Sequence, residues 1–183
     1  LGDHPRSKHL RSRAQTAEIL RQHGPPLTYF RAAMVVGARS ESYRTLRYLV
    51  QRLPAMIAPS WLSTPTQPIA VDDVIAYLKK APDLPESTGR EIQIGGPDVL
   101  SYGDMLDRMA HALKINPRPR VPVPLLTPRL SSLWLGLVTP LYARVGRILV
   151  DSMRHETVVR DHAALEVFPI RPMGIREAIA AAL

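Results

Sequence analysis

The sequence predicts an α/β fold, and two observations carry this prediction. Short extended segments alternate with helical segments along the 183 residues, whereas an antiparallel meander would run strand after strand. Proline is unusually frequent, with 18 residues, and it interrupts both helix interiors and central strands. With 45% hydrophobic and 22% charged residues, the chain has the composition of a globular domain that buries a core. We therefore expect many short elements joined by rigid turns.

The helices follow from apolar periodicity and from capping residues. The first is stopped by the run Gly24-Pro25-Pro26, which cannot continue a helix. Asp72 is placed to cap a later helix, because its carboxylate can accept the free amides of the first turn. Ser101 is expected to cap another, with Asp104 near its positive end. We expect helices over residues 8–23, 42–52, 73–80, 101–113, 129–153 with a break near 140, and 175–182.

The strands are short and lie between glycines and prolines. The clearest is the segment 91–94, which Gly95-Gly96-Pro97 closes. A proline-rich extended segment is expected over 117–126. We expect the other extended segments at 27–31, 34–36, 56–58, 68–70 and 157–159.

Charge and composition limit the partners and the compartment. The net charge of +8 favours anionic partners in general, but the excess is spread thinly and no nucleic-acid recognition motif or aromatic platform accompanies it. No nucleic-acid partner is therefore expected. The absence of cysteine excludes disulfides and thiolate metal sites and fits a reducing, cytoplasmic environment.

Membrane insertion and targeting are not expected from the sequence. The most apolar stretch, residues 130–150, is broken by Pro140, Arg144 and Arg147, whereas a bilayer span needs ~20 largely uncharged apolar residues. Peripheral membrane contact remains an alternative. Leu1 opens no signal-peptide pattern, and because it is not Met the chain is expected to be processed or a fragment.

Several motifs, read in order, resemble a known family. The family is the atypical short-chain dehydrogenase/reductases, in their NmrA-like, NAD-dependent epimerase/dehydratase-like group. The motifs resemble, in turn, the active-site helix, the strand and loop after it, the segment in which an Asp-Val pair opens a helix, the next strand and turn, and a DUF2867-type C-terminal region. They lie at residues 6–24, 27–37, 67–74, 89–97, 126–132 and 154–156.

The resemblance implies the C-terminal portion of a Rossmann-type NAD(P)-binding fold with its substrate lobe. The glycine-rich turn that holds the pyrophosphate in such folds has no counterpart here, because Pro97 removes an amide from the Gly95-Gly96 turn and no third glycine follows. The resemblance therefore places the first βαβ half before Leu1. Residues 1–90 would be the remainder of the dinucleotide domain and residues 91–183 the substrate lobe, packed as one unit.

The family's catalytic dyad is a Tyr and a Lys four residues apart on one helix face, and the matching positions here are His9 and Arg13. His9 can exchange a proton near neutral pH, while Arg13 supplies only the electrostatic part of the lysine's role. The alternative is a polar helix face beside an anionic ligand.

The resemblance also supplies candidate binding residues. It places Arg31, Ala32, Ala33 and Met34 beside the nicotinamide end of the cofactor. A plain buried strand with Arg31 as a paired charge is the alternative. Trp61 and Gln67 would face the substrate cleft, although Trp61 also suits a packing anchor.

A metal site is not expected. His155, Glu156, Asp161 and His162 match no strong zinc spacing, and neighbouring side chains diverge in direction on either a helix or a strand. Surface salt bridges and capping are the expected roles of this group.

Three functional hypotheses follow. The first is an NAD(P)-dependent oxidoreductase or epimerase-like enzyme acting on an unknown small molecule. The second, favoured by the altered dyad, is a non-catalytic NAD(P)-binding sensor or accessory scaffold. The third is an inactive fragment that self-associates through uncovered apolar edges.

Overall fold

The computed structural model describes residues 8–58, 60–122 and 152–183, and within them the chain is α/β. Six helices are described: α1 (Lys8–His23), α2 (Glu41–Arg52), α3 (Val71–Lys80), α4 (Tyr102–Ala112), α5 (Ala163–Val167) and α6 (Ile175–Ala181). The strands are β1 (Tyr29–Ala32), β2 (Val35–Val36), β3 (Met56–Ala58), β4 (Pro65–Thr66), β5 (Ile69–Ala70), β6 (Glu91–Ile94), β7 (Leu100–Ser101) and β8 (Arg120–Pro122).

The described strands form four pairs, of which three are parallel. Strand β1 pairs with β6, β2 with β5, and β3 with β8 in parallel, while β4 and β7 are antiparallel. Parallel pairs need long crossover connections, and here helices supply them, as in other α/β proteins. The β1–β6 pair joins residues on either side of the predicted domain boundary at 90/91, and the division itself stays a prediction.

Local sequence explains where α2 and α4 begin and end. The Ser40 hydroxyl accepts the Tyr43 amide at the start of α2, and Pro54 follows soon after its end. At α4, Ser101 and Asp104 form a capping box, which confirms the predicted cap.

The predicted Asp72 cap is wrong. Helix α3 begins at Val71, its N-cap is Ala70, and no side chain caps it. Asp72 therefore lies inside the first turn, where a negative charge still interacts favourably with the helix dipole.

Two apolar cores hold the elements together. The larger core is formed by the buried faces of α2, α4 and α6 with β2. The smaller one surrounds an aromatic trio on β1, α3 and the segment after α5, in which Phe30, Tyr77 and Phe168 lie with ring centroids 5.2–5.8 Å apart. The trio packs α3 and α5 onto the β1–β6 pair.

Helix α1 is the most exposed of the long helices. Of its residues 11–23 only Ala17 is buried, and Ile19 and Leu20 are 58% and 45% exposed. Ion pairs connect it to the sheet, because Glu91 at the start of β6 contacts both Arg21 of α1 and Arg31 of β1.

Three sequence expectations fall partly or wholly outside the described residues. The expected helix over 129–153 and the apolar stretch 130–150 lie in or overlap the segment 123–151, as does the second half of the extended segment 117–126. Among the helices the structure does describe, none is long and apolar enough to cross a membrane.

Candidate functional site at the carboxyl ends of the parallel strands

The carboxyl ends of β1 and β6 lie side by side. The register pairs Tyr29 with Glu91 and Ala32 with Ile94, so both strands end at the same edge. In open parallel sheets ligands bind in the crevice outside this edge. Ala33 and Met34 leave β1 there, and Gly95 and Gly96 leave β6.

One central segment, residues 66–70, joins these strand ends. The amide of Ile69 donates to the Met34 carbonyl at 3.0 Å, and the amide of Gly96 donates to the Pro68 carbonyl at 2.8 Å. The amide of Gln67 donates to the Thr157 carbonyl at 3.0 Å. Three distant parts of the chain are therefore fixed to one backbone segment at this edge.

The Gln67 side chain reinforces the junction. Its Nε2 donates to the Gly96 carbonyl at 2.7 Å, and its Oε1 accepts the Val159 amide at 2.9 Å, with only 9% of the residue exposed. Both ends of the amide are thus bonded to main chain, and the substrate role predicted for Gln67 stays a prediction.

Glycines 95 and 96 make this close approach sterically possible. A Cβ on Gly95 would lie 2.8 Å from Val159 Cγ2 and 3.0 Å from the Gln67 side chain. A Cβ on Gly96 would lie 2.6 Å from the Pro68 carbonyl oxygen. The Gly-Gly turn thus packs the end of strand β6 against the central segment. Both positions need glycine because a side chain would collide with neighbouring atoms.

A buried hydroxyl cluster lies next to the junction. Thr66 and Thr157 hydrogen-bond through their hydroxyls at 2.9 Å, and both interact with the Tyr102 hydroxyl. Burial raises the pKa of Tyr102, while the two threonine hydrogen bonds act in the opposite direction. Sequence reasoning missed this cluster, because its members are 36 and 91 positions from Thr66 and no local motif links them.

Trp61 packs on this cluster. It lies in a 3-10 turn (Ser60–Ser63), is 4% exposed, and meets the Tyr102 ring edge-on at a centroid distance of 6.2 Å. Its Nε1 has no hydrogen-bond partner in the described part of the chain. This is the geometry of a packing anchor, and the substrate role stays a prediction.

The four residues predicted beside the cofactor lead to the same edge. Arg31 is largely buried and forms an ion pair with Glu91, as in the paired-charge alternative. Ala32 and Ala33 are partly buried, and Met34 is 7% exposed. The structure therefore brings these residues to the carboxyl edge, and contact with a cofactor stays a prediction.

The predicted dyad lies on α1. The spacing of His9 and Arg13 puts both on one face of that helix. Arg13 is exposed, and its carbonyl accepts a hydrogen bond from the Tyr29 hydroxyl at 3.4 Å, which ties α1 to the first residue of β1. The side chain of His9 lies outside the described residues.

The group considered for metal binding has other partners. Glu156 pairs with Arg160 at 3.3 Å, and the Asp161 carboxylate accepts the Ala163 amide at 3.0 Å at the start of α5. Within residues 8–58, 60–122 and 152–183 no cluster of three or more His, Cys, Asp or Glu side chains could hold a metal ion.

Three carboxylates anchor the last helix. Asp73 accepts the Met173 amide at 2.9 Å, Asp98 accepts the Ile175 amide at 2.7 Å, and Glu177 accepts the Gly174 amide at 3.4 Å. Burial raises the pKa of Asp73, and the Met173 hydrogen bond opposes the rise. Asp73 therefore connects α3 to the segment that leads into α6.

Known proteins share this fold in solved structures. No protein-family model matches the chain, and no curated protein matches it. A nucleoside-diphosphate-sugar epimerase from Staphylococcus aureus matches with a TM-score of 0.68 at 12% identity, over 91% of this chain and 56% of that one. An NAD-dependent NDP-hexosamine 5,6-dehydratase involved in tunicamycin biosynthesis matches at 0.63 and 13%, over 98% and 53%.

A UDP-glucose 4-epimerase from Thermotoga maritima, solved with UDP-glucose, matches at 0.60 and 15% identity, over 94% of this chain and 50% of that one. The fold is therefore part of a Rossmann-type α/β fold, which confirms the predicted fold class. These three structures are two sugar epimerases and a dehydratase, and the chain spans about half their length. The NmrA-like and DUF2867-type assignments stay predictions.

Proposed function

We propose that these residues form the second half of an NAD(P)-dependent oxidoreductase or epimerase-like protein acting on a small molecule. The observation that carries the proposal is the shared carboxyl edge of β1 and β6, where Ala33 and Met34 leave one strand and Gly95 and Gly96 leave the other. Ligands of doubly wound folds bind at such an edge. The sugar epimerases and the dehydratase with this fold are described as NAD-dependent or as acting on nucleotide sugars.

The exposed surfaces of β1 and α1 support the proposal that the chain is part of a longer protein. Within the described residues β1 pairs along one edge only, with β6, and α1 leaves Ile19 and Leu20 exposed. An unpaired strand edge is a surface on which further strands can pair. In the intact protein a first half would cover them and hold the dinucleotide; without it, self-association through the same surfaces is expected.

The cofactor would supply hydride transfer, and this chain would supply positioning and proton transfer. Ala32, Ala33 and Met34 would line the nicotinamide end of the cleft. His9 would exchange the proton, with Arg13 stabilising negative charge on the substrate. Trp61 and Gln67 would shape the substrate side.

A non-catalytic NAD(P)-binding sensor or accessory scaffold is the second candidate, because His9 and Arg13 stand where the family has Tyr and Lys. Turnover by the full-length protein with bound cofactor separates the two. Nucleotide sugars are the first substrates to test, with product analysis and NAD(P)H absorbance as readouts. Under the enzymatic proposal His9→Ala abolishes turnover, whereas Arg11→Ala on the same helix retains it. Equal activities of the two variants would remove His9 from the mechanism.

A further inference from the structure

The solvent face of α2 carries a row of arginines. The buried side of this helix is apolar, with Leu46, Leu49 and Val50 packed in the larger core. The opposite side of the helix presents one acidic residue and three basic ones, because all its arginines fall outside the buried arc. We call this surface the α2 arginine face and define it by Arg44, Arg47, Tyr48, Arg52 and the adjoining Arg118.

Tyr48 contacts two of the arginines in this face. The Arg52 guanidinium lies over the Tyr48 ring, 4.9 Å from its centroid, and the Arg44 guanidinium donates a hydrogen bond to the Tyr48 hydroxyl. Arg44 also pairs with Glu41 at 3.0 Å. One line along the helix surface therefore contains Arg44, Tyr48 and Arg52, which follow one another at intervals of four residues.

The charge of this face is largely uncompensated. Arg47 and Arg52 form no salt bridge with a carboxylate in the described part of the chain. Arg118 donates its Nε to the Val50 carbonyl at 3.1 Å, which places a further guanidinium at the last turn of α2. A helix of 12 residues is about 18 Å long, so these cations lie within a short distance of one another. Arg52 is exposed, and the other arginines of the face are partly exposed.

We propose that the α2 arginine face docks the protein peripherally on a membrane surface rich in anionic phospholipid. Charge complementarity is the basis, since a convex row of cations fits a planar array of phosphate groups. Pro54 and Ala55, both exposed, follow Arg52 and give the end of the helix an apolar tip.

Nucleic acid fits this face less well. Proteins that bind single strands combine a basic groove with open aromatic faces on which bases stack. Here one face of the only aromatic ring in the row is covered by Arg52, and the surface is a single convex helix. The proposal does not depend on the dinucleotide site, so the two can fail separately.

The test is co-sedimentation of the 183-residue chain with vesicles. Vesicles of equal parts phosphatidylglycerol and phosphatidylcholine should bind the chain, binding should weaken as salt is raised, and pure phosphatidylcholine should not bind it. Each surface cation contributes about fivefold to such binding, so the double variant Arg47→Glu/Arg52→Glu should lose at least about tenfold.

The control is Arg90→Glu/Arg171→Glu, which changes net charge equally at two exposed arginines outside α2. It should retain most of the binding. Equal losses in the two double variants would overturn the proposal, as would absence of vesicle binding or salt-sensitive binding to RNA alone. Circular dichroism melts of both variants establish that each remains folded.

Discussion

The side chain of Gln67 donates a hydrogen bond to the carbonyl oxygen of Gly96 at 2.7 Å, across 29 positions of sequence. The same side chain accepts the amide of Val159 at 2.9 Å. One buried amide therefore joins the end of β6, the central segment and the C-terminal part of the chain, next to the edge where a ligand is proposed to bind.

Replacing Gln67 by Ala should lower the free energy of unfolding by about 2–4 kcal/mol, because two buried main-chain groups lose their partners. Urea denaturation measures the change. Gln22→Ala is the matched control, since Gln22 bonds only Glu18 on the exposed helix α1, and it should stay within about 0.5 kcal/mol. Equal stabilities of the two variants would contradict the structural role of Gln67.

Gly96→Ala should destabilise the protein by about 1–3 kcal/mol or more, because the new methyl would lie 2.6 Å from the Pro68 carbonyl oxygen and 3.3 Å from that of Met173. Neither main-chain oxygen can swing aside as a side chain would. Gly174→Ala is the comparison, because a Cβ there meets only the Asp98 carboxylate at 3.5 Å and φ is −67°. If Gly96→Ala were as stable as Gly174→Ala in thermal unfolding, the close contact between Gly96 and the Pro68 carbonyl would be contradicted.

Trp61→Ala should cost about 3–5 kcal/mol, whereas Trp61→Phe should cost about 1 kcal/mol, because phenylalanine keeps an aromatic ring against Tyr102 and leaves only a small cavity, while the lost Nε1–H has no partner among the described residues. Chemical denaturation of the two variants tests this. A Phe variant as unstable as the Ala variant would contradict this role of ring packing.

Asp73 and Asp104 should give opposite pH dependence. Burial raises the pKa of Asp73, so the folded state binds more protons than the unfolded state just above the ordinary aspartate pKa. The free energy of unfolding therefore falls as pH rises through that window. The Asp73→Asn variant can still accept the Met173 amide but does not ionise, so its free energy of unfolding lacks this decrease. The variant should gain stability relative to wild type as pH increases.

For Asp104 the hydrogen bonds from the Ser101 hydroxyl and amide lower the pKa. Its stabilisation is present above the ordinary aspartate pKa and is lost as pH falls through the lowered value. Asp104→Asn should cost about 0.5–2 kcal/mol near neutral pH and less in acid. Unfolding free energies from about pH 2 to about pH 8 measure both; slopes of the same sign would contradict the assignment.

Much of the fold was predictable because local signals suffice for it. Helix Lys8–His23 and strand Glu91–Ile94 were predicted with the bounds that the structure gives them, the first from its Gly-Pro-Pro stop and the second from its Gly-Gly-Pro turn. The Ser101 cap was confirmed as well. Helix Ala163–Val167 was missed, since five residues show little periodicity and its position depends on packing against β6.

The candidate site was less predictable, because long-range contacts assemble it. The Thr66–Thr157–Tyr102 cluster and the two main-chain partners of Gln67 have no local signature. The aspartate before the helix pattern predicts Asp72 as the cap, but the helix begins at Val71, beside Gly37 and two residues before the predicted start at 73. Tertiary contacts overrode the local preference there.

The most direct test of the central proposal is a parallel titration of NADH and NADPH into the 183-residue chain and into the full-length protein that contains it, followed by cofactor fluorescence. We expect saturable binding to the full-length protein and none to the chain alone, because the chain carries no glycine-rich phosphate turn. Failure of the full-length protein to bind either nucleotide would contradict the proposed function. Micromolar binding by the chain alone would contradict its assignment as the half that lacks the dinucleotide loop.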